Sequence, residues 1–265
     1  MAVKSEQSLK WYQVNNGIIE PAYEVLTKKG DKMTKVTLRQ ARPNWFLPSV
    51  TSVNQIVASF QLKEYAKKEV ARACIDFPYD RPDKSEENTD AYIAMMLAKS
   101  EEFAGFAAQR GKALHKDAEM FLTEGVEASD PVGQKIAHSI KDWLTKGGYT
   151  TFSCEECLGS VALGYAGTPD VYAAGPAVMP LILDLKTTDL TRFSKTFNSW
   201  ARQLGAYRTL KGQDVFLWQV VADRNTGEVL FVQHEDEERW ANAFSTLYEF
   251  WVLENNYDCR LRPVE

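Results

Sequence analysis

The chain has 265 residues, 45% hydrophobic and 25% charged, which is ample for one sizeable core with a smaller appendage. No stretch approaches the ~20 apolar residues of a membrane span, and Cys74, Cys154, Cys157 and Cys259 are too few for a secreted disulfide framework, so a soluble protein of a reducing compartment is expected. The net charge of −5 argues against a uniformly basic nucleic-acid binder, yet the basic residues are clustered: residues 1–75 carry 12 Lys and Arg against 6 Asp and Glu, and residues 185–211 carry Lys186, Arg192, Lys195, Arg202, Arg208 and Lys211 against Asp189 alone.

In chain order, Tyr23 to Gln40 alternates around a Lys-Gly-Asp-Lys turn and predicts a β-hairpin. From Ser49 the apolar residues fall at helical spacing through about Cys74, and the acidic, proline-punctuated segment 77–90 reads as a loop. A long helix is expected over about 90–122, with a break at Gly105 or Gly111, and another over 131–146, stopped by Gly147-Gly148. The period then changes. Residues 151–163, 165–174 and 180–187 predict three strands, 201–212 a helix, 214–223 and 227–234 two more strands, and 237–255 a closing amphipathic helix.

The stretch that carries chemistry is GTPDVYAAGPAVMPLILDLKTTD, residues 167–189. Asp184 and Lys186 are two apart in an apolar strand and therefore face the same side. A carboxylate that holds Mg²⁺ or Mn²⁺ beside an ammonium that orients water, or offsets charge on a phosphate, suits phosphodiester hydrolysis. Asp170 on a neighbouring strand would add a second carboxylate, and the backbone carbonyl of Leu185 a further oxygen. A plain Asp184–Lys186 ion pair is the structural alternative.

GTPD followed by DLK resembles the PD-(D/E)XK nuclease signature, in the RecB-like and phage exonuclease branch. In that branch an upstream helix carries G-x-x-x-H, matched by Gly111 and His115 in RGKALHKDAEMFL, and a downstream helix carries Q-x-x-x-Y, matched by Gln203 and Tyr207 in QLGAY. The segment LPSVTSVNQIV, Glu155 twelve residues ahead of Gly167, and GYAGTPD also look like the mitochondrial genome maintenance exonucleases and related phage enzymes; the likeness covers about 48–210.

The resemblance implies an α/β fold with a restriction-endonuclease-like core, a central mixed β-sheet flanked by helices. It implies one nuclease domain, with a hairpin and helical lobe over 1–89 and the nuclease core over 90–265. It implies a Mg²⁺- or Mn²⁺-dependent exodeoxyribonuclease acting on single strands or DNA ends, in recombination, replication or degradation, with replication or recombination proteins as partners, in the cytoplasm of a bacterium or a phage-infected host. His115, Asp170, Asp184 and Leu185 would hold the metal and Lys186 would be the catalytic lysine. Glu119, one turn after His115, would hold a water, orient His115 or bind a second ion; Gln203 and Tyr207 would position DNA or Lys186. DNA contacts are expected from Arg110, Lys112 and Thr187, and from Ser49 and Thr51 unless these cap a helix. The helices around 52–74 and 90–125 would arch over a threaded strand. A non-catalytic DNA-binding protein that keeps the fold, and a structure-specific endonuclease, are the alternatives.

The remaining candidates read as structural. Cys154-x-x-Cys157 lacks the cysteine pattern of a cluster site, His138 and His234 lack ligand-spaced neighbours and read as surface or capping residues, and Trp45 and Phe46 either enter the core or offer a base-stacking ring.

Overall fold

The computed structural model describes residues 10–26, 33–57, 60–76 and 86–262. Strands β1 (Trp11–Asn15) and β2 (Ile18–Ala22) form a hairpin that is absent from the expectation above. Its turn residues Asn16 and Gly17 both have positive φ, 50° and 80°, the geometry of a two-residue hairpin turn, which Asn and Gly reach at least cost. The predicted hairpin exists as β3 (Glu24–Leu26) paired with β4 (Met33–Lys35), its turn lying outside the described residues. Its second arm is shorter than expected. The Gln40 side-chain carbonyl accepts from the Thr37 N–H (2.8 Å), closing the first turn of helix α1 (Leu38–Asn44).

Strand β5 (Leu47–Pro48) adds to β1, giving a small sheet in the order β2-β1-β5. The helix expected from Ser49 to Cys74 is two: α2 (Val50–Asn54) and α3 (Phe60–Asp76). Val50, Thr51, Val53, Ile56 and Val57 are β-branched, and Ser52 and Asn54 compete for backbone bonds, so this stretch sustains little more than one turn. Residues 77–85 of the expected loop lie outside the described residues, while 86–90 begin helix α4 (Glu86–Glu124), which runs unbroken through Gly105 and Gly111. Each glycine costs only about 1 kcal/mol against Ala, too little to interrupt a helix of 39 residues. Helix α5 (Pro131–Lys146) has the expected bounds: Asp130 caps it, Pro131 opens it, and the chain leaves through Gly147-Gly148.

The three strands expected over 151–187 are five: β6 (Thr151–Cys154), β7 (Leu158–Ser160), β8 (Tyr165–Gly167), β9 (Val171–Gly175) and β10 (Val178–Thr188). Glu155, at φ 51°, ends β6, and Pro169, with no N–H to donate, separates β8 from β9. Helix α6 (Asn198–Lys211), strands β11 (Phe216–Asp223) and β12 (Val229–Gln233) and helix α7 (Glu237–Asn255) complete the chain.

The central sheet has the order β12-β11-β10-β9-β6, with β10 and β11 parallel and the other pairs antiparallel. The chain is thus α/β, a mixed five-stranded sheet flanked by helices. Leu181, Leu183 and Leu185 of β10 pack with Leu114, Ala118, Ile136 and Ile140 of α4 and α5. Ile182 faces the other way, into a core shared by Leu204 and Tyr207 of α6, Phe244 and Trp251 of α7, and Trp11 of the hairpin. Alternation along one strand therefore sends its odd residues toward α4 and its even residues toward α6.

Helices α6 and α7 touch at Gly205, where a Cβ would stand 2.6 Å from both the Ala241 nitrogen and the Trp240 carbonyl oxygen. Gly205→Ala must separate the helices, and a loss of about 1–3 kcal/mol is expected. Urea denaturation followed by circular dichroism measures it; an unchanged midpoint would refute the close packing.

Candidate active site

Asp184 is 2% exposed, in a stretch of β10 from Leu181 to Leu185 that is buried throughout. A buried carboxylate costs several kcal/mol unless it is paired and hydrogen-bonded. Here Lys186 Nζ lies 2.6 Å from Oδ2, Gln219 Nε2 donates to the same oxygen at 2.6 Å, and Gln203 Nε2 donates to Oδ1 at 3.1 Å. The Gln219 amide also donates to the Asp184 backbone carbonyl. Gln219 is fully buried and directly opposite Asp184 in the parallel register. Gln203 further donates to the Tyr207 hydroxyl at 3.1 Å, one turn along α6. The Q-x-x-x-Y pair therefore braces Asp184 from the α6 side of the sheet.

The other side is set by a close approach of α4. A Cβ on Gly111 would lie 2.7 Å from Thr187 Oγ1, so a larger residue would have to turn the threonine side chain or move the helix away from the end of β10. One turn later His115 Nδ1 stands 3.5 Å from Asp170 Oδ1, while Asp170 Oδ2 accepts from the Leu185 N–H at 2.6 Å. Gly167 plays the matching part under GTPD: a Cβ there would stand 2.7 Å from Tyr207 Cε1. His115, Asp170, Asp184, Lys186, Gln203 and Tyr207 thus line one cleft of about 1280 Å³, together with Glu119, Glu155, Thr187, Lys112 and Thr51.

The charges are strongly coupled. Burial works against the Lys186 ammonium, but Asp184, then Asp170, outweigh it and hold its pKa above the ordinary lysine value. Burial likewise opposes charge on Asp170, yet the His115 hydrogen bond and charge, with Lys186 and the Leu185 N–H, keep its carboxyl below the usual range. His115 is raised: burial disfavours its cation, and Asp170 more than compensates. Desolvation, then the charges of Asp170 and Glu119, push the Glu155 carboxyl up. Asp170 and Asp184 therefore flank the half-buried Lys186 ammonium, with Glu155 and Glu119 beside Asp170. Among the described residues no three His, Cys, Asp or Glu side chains are disposed around a common point as a metal centre would have them. The oxygens of Asp184 point to Lys186, Gln219 and Gln203, and those of Asp170 to the Leu185 N–H and His115.

Ser49 and Glu119 also line the cleft, each with a structural partner of its own, whereas Arg110 lies outside it. Ser49 is a cap: its Oγ accepts from the Ser52 N–H at 2.9 Å and it is 2% exposed. Arg110 is tied to Asp130, the cap of α5, and to the Arg224 carbonyl, and is not part of the cleft lining. Glu119 is paired with Lys116 at 2.9 Å. Phe46 is buried and Trp45 packs on the same core, so neither offers a ring to the cleft. His234, read above as a surface or capping residue, is instead buried, and burial lowers its pKa. His138 is half-buried and bonded to Glu127, a surface histidine packed on Phe121. Cys154 and Cys157 are free, and burial raises the Cys154 thiol to about 12, which disfavours the thiolate a metal needs. Helices α3 and α4 pack together and both line the cleft, through residues such as Arg72 and Phe103. Gln219 was not legible as a site residue, since nothing in WQVVAD singles it out before the register with β10 is known.

No protein-family model and no curated protein matches the chain. Among solved structures it is similar to the "Putative exonuclease" of Eubacterium rectale, with 14% identity over 69% of this chain and 77% of that one, at a TM-score of 0.33. It is also similar to SSO0001, with 15% identity over 55% of this chain and 86% of that one, at a TM-score of 0.30.

The His115–Asp170 pair fixes a pH dependence. The His115 contribution to stability is complete below 6.5, its unperturbed value, and is lost as the pH rises through its higher folded value. That of Asp170 is complete above 3.8 and is lost as the pH falls through its lower folded value. In EDTA, the unfolding free energy of the wild type should decline between mildly acidic and mildly alkaline pH, and His115→Gln should show a smaller decline. Equal slopes for the two proteins would show that the pair does not couple in solution.

Proposed function

We propose that the chain is a divalent-metal-dependent deoxyribonuclease of the PD-(D/E)XK type, an exonuclease acting on single strands or DNA ends. The observation that carries this reading is the meeting, in one cleft, of four separated sequence elements: His115 on α4, Asp170 before β9, Asp184 and Lys186 on β10, and Gln203 with Tyr207 on α6. A buried carboxylate paired with an ammonium is weak evidence for a stabilising role, since apolar residues of similar volume often stabilise as well or better. Their position at an open cleft speaks for chemistry.

The donor chemistry suits Mg²⁺ or Mn²⁺, because the oxygens of Asp170 and Asp184, with Glu155 and Glu119 beside them, make an acid-rich wall. Asp170, Asp184, the Leu185 carbonyl and His115 would hold the ion after the side chains turn from their present partners, since as they stand they do not converge on one point. Bound there, it would supply Lewis-acid activation of water and charge neutralisation at the phosphate. Lys186 is kept charged by Asp184 and stands where it can offset charge developing on the scissile phosphate. Gln203 and Gln219 fix the rotamer of Asp184, and Tyr207, whose phenol is held neutral by burial, fixes Gln203. Lys112, Thr51 and Thr187, at the cleft wall, would meet the phosphate backbone. DNA is the substrate that this reading gives, and replication or recombination proteins remain its proposed partners. The division into a lobe over 1–89 and a core over 90–265 belongs to the same proposal. Among the described residues no helix is long and apolar enough to cross a membrane.

The test is digestion of end-labelled linear and circular DNA with Mg²⁺, Mn²⁺ or EDTA. Linear DNA should be consumed only with metal. Lys186→Ala and Asp184→Asn should each lower the rate about a hundredfold or more, a loss of about 3 kcal/mol or more of transition-state stabilisation. If wild type binds DNA yet leaves every substrate intact, the non-catalytic reading replaces this one; fast cutting of circles favours the endonuclease.

A further inference from the structure

Three large aromatic residues stand between the end of β10 and the first turn of α6: Phe193, Phe197 and Trp200. None belongs to either hydrophobic core, and all three line the cleft that holds Lys186. They are organised nonetheless. The Phe193 and Trp200 rings are parallel to within 3°, with centroids 6.3 Å apart, and Phe197 meets Trp200 edge-on at 4.8 Å. All three remain half-buried, so part of each ring faces the cleft.

Local helix chemistry does not ask for them. Phe197 occupies the N-cap of α6, where Ser, Thr, Asp or Asn would bond the free N–H groups, and its side chain makes no such bond. A residue that breaks a local rule at the mouth of a cleft points to a role outside folding. The platform is also pinned. Asn54 Nδ2 donates to the Ser199 carbonyl at 2.6 Å, and Arg202 Nε donates to Asn54 Oδ1 at 3.1 Å, so α2 clamps the turn that carries Trp200. Trp200 lies three residues before Gln203 on α6, about 4.5 Å of rise, so the rings are about one helical turn from the group that braces Asp184. Exposed Lys195 and Arg192 line the same part of the cleft, Arg192 already paired with Asp189 at 3.1 Å.

We infer that Phe193, Phe197 and Trp200 form a stacking platform for an unpaired nucleobase next to the cleavage site. Pre-positioned rings with cations beside them are the arrangement that holds single strands without reading sequence. A base within a duplex is stacked on its neighbours and presents no face to such rings. The platform would therefore admit a single strand or a frayed end and disfavour an intact duplex. This assignment rests on the nuclease reading of the cleft.

The experiment uses metal-free protein in EDTA, so that no strand is cut. Fluorescence anisotropy compares a labelled oligothymidylate with an abasic strand of the same length, which keeps the phosphates and lacks the bases. The wild type should hold the oligothymidylate about tenfold more tightly. Trp200→Leu should bring that ratio close to one while leaving abasic binding unchanged, and Trp200→Phe should restore most of it. Phe197→Leu gives the same comparison if the Trp200 variant does not fold. If the wild type binds both strands equally, or if Trp200→Leu weakens both alike, the platform is refuted and the nuclease reading stands. If the folded wild type binds neither strand, the nucleic-acid reading of the cleft fails, and the platform with it.

Discussion

The carboxylate of Asp184 sits among Leu181, Ile182, Leu183 and Leu185, where an uncompensated charge would be intolerable, and the surrounding structure is arranged to accommodate it. Lys186 neutralises it from two residues along the strand, Gln219 reaches it from the neighbouring strand, and Gln203 reaches it from α6. Each partner imposes a requirement on the fold. Gln219 requires the parallel pairing of β10 with β11 in one register, and Gln203 requires α6 to lie close over the sheet. Gly167 beneath Tyr207 permits that closeness, and Gly205 permits α7 to pack as closely on the other side of α6.

The asymmetry of β10 divides the labour. Its odd residues seal the α4 face with leucine, and its even residues carry Asp184 and Lys186 toward α6. His115 belongs to the leucine side, and it reaches Asp170 at the sheet margin one turn after Gly111, where α4 settles against Thr187. The glycine of G-x-x-x-H is thus a spacer that sets a distance, and the histidine one turn later makes use of it. Substitutions at such positions should act on the site through geometry without touching any of its polar groups.

Helices α5 and α7 are readable from the sequence because strong periodicity and end signals agree: Asp130-Pro131 and Gly147-Gly148 for one, Glu237-Glu238 and an apolar stripe for the other. The site elements are readable for another reason, since acid, lysine and histidine are costly where they stand. The errors have local causes. Periodicity merged α2 with α3 because it weighs apolar spacing over the low helix propensity of β-branched residues. It merged β6 with β7, and β8 with β9, because Glu155 in a left-handed conformation and the Thr168-Pro169 step change the sheet without changing composition. Gln219 and the Phe193–Trp200 cluster depend on which segments meet in space, and a single chain read in order contains no sign of that.

Helix α4 is continuous from Glu86 to Glu124 and its hydrogen-bonded turns run on through Gly105 and Gly111. Phe103 at the cleft wall and His115 at the site are twelve residues apart on it, about 18 Å along a single rod. A rod transmits axial shift and rotation where a hinged helix would dissipate them. On the proposed reading, a strand that leans on the wall would be felt by the imidazole, and the grip on that strand and the alignment of the reacting groups would be mechanically in series.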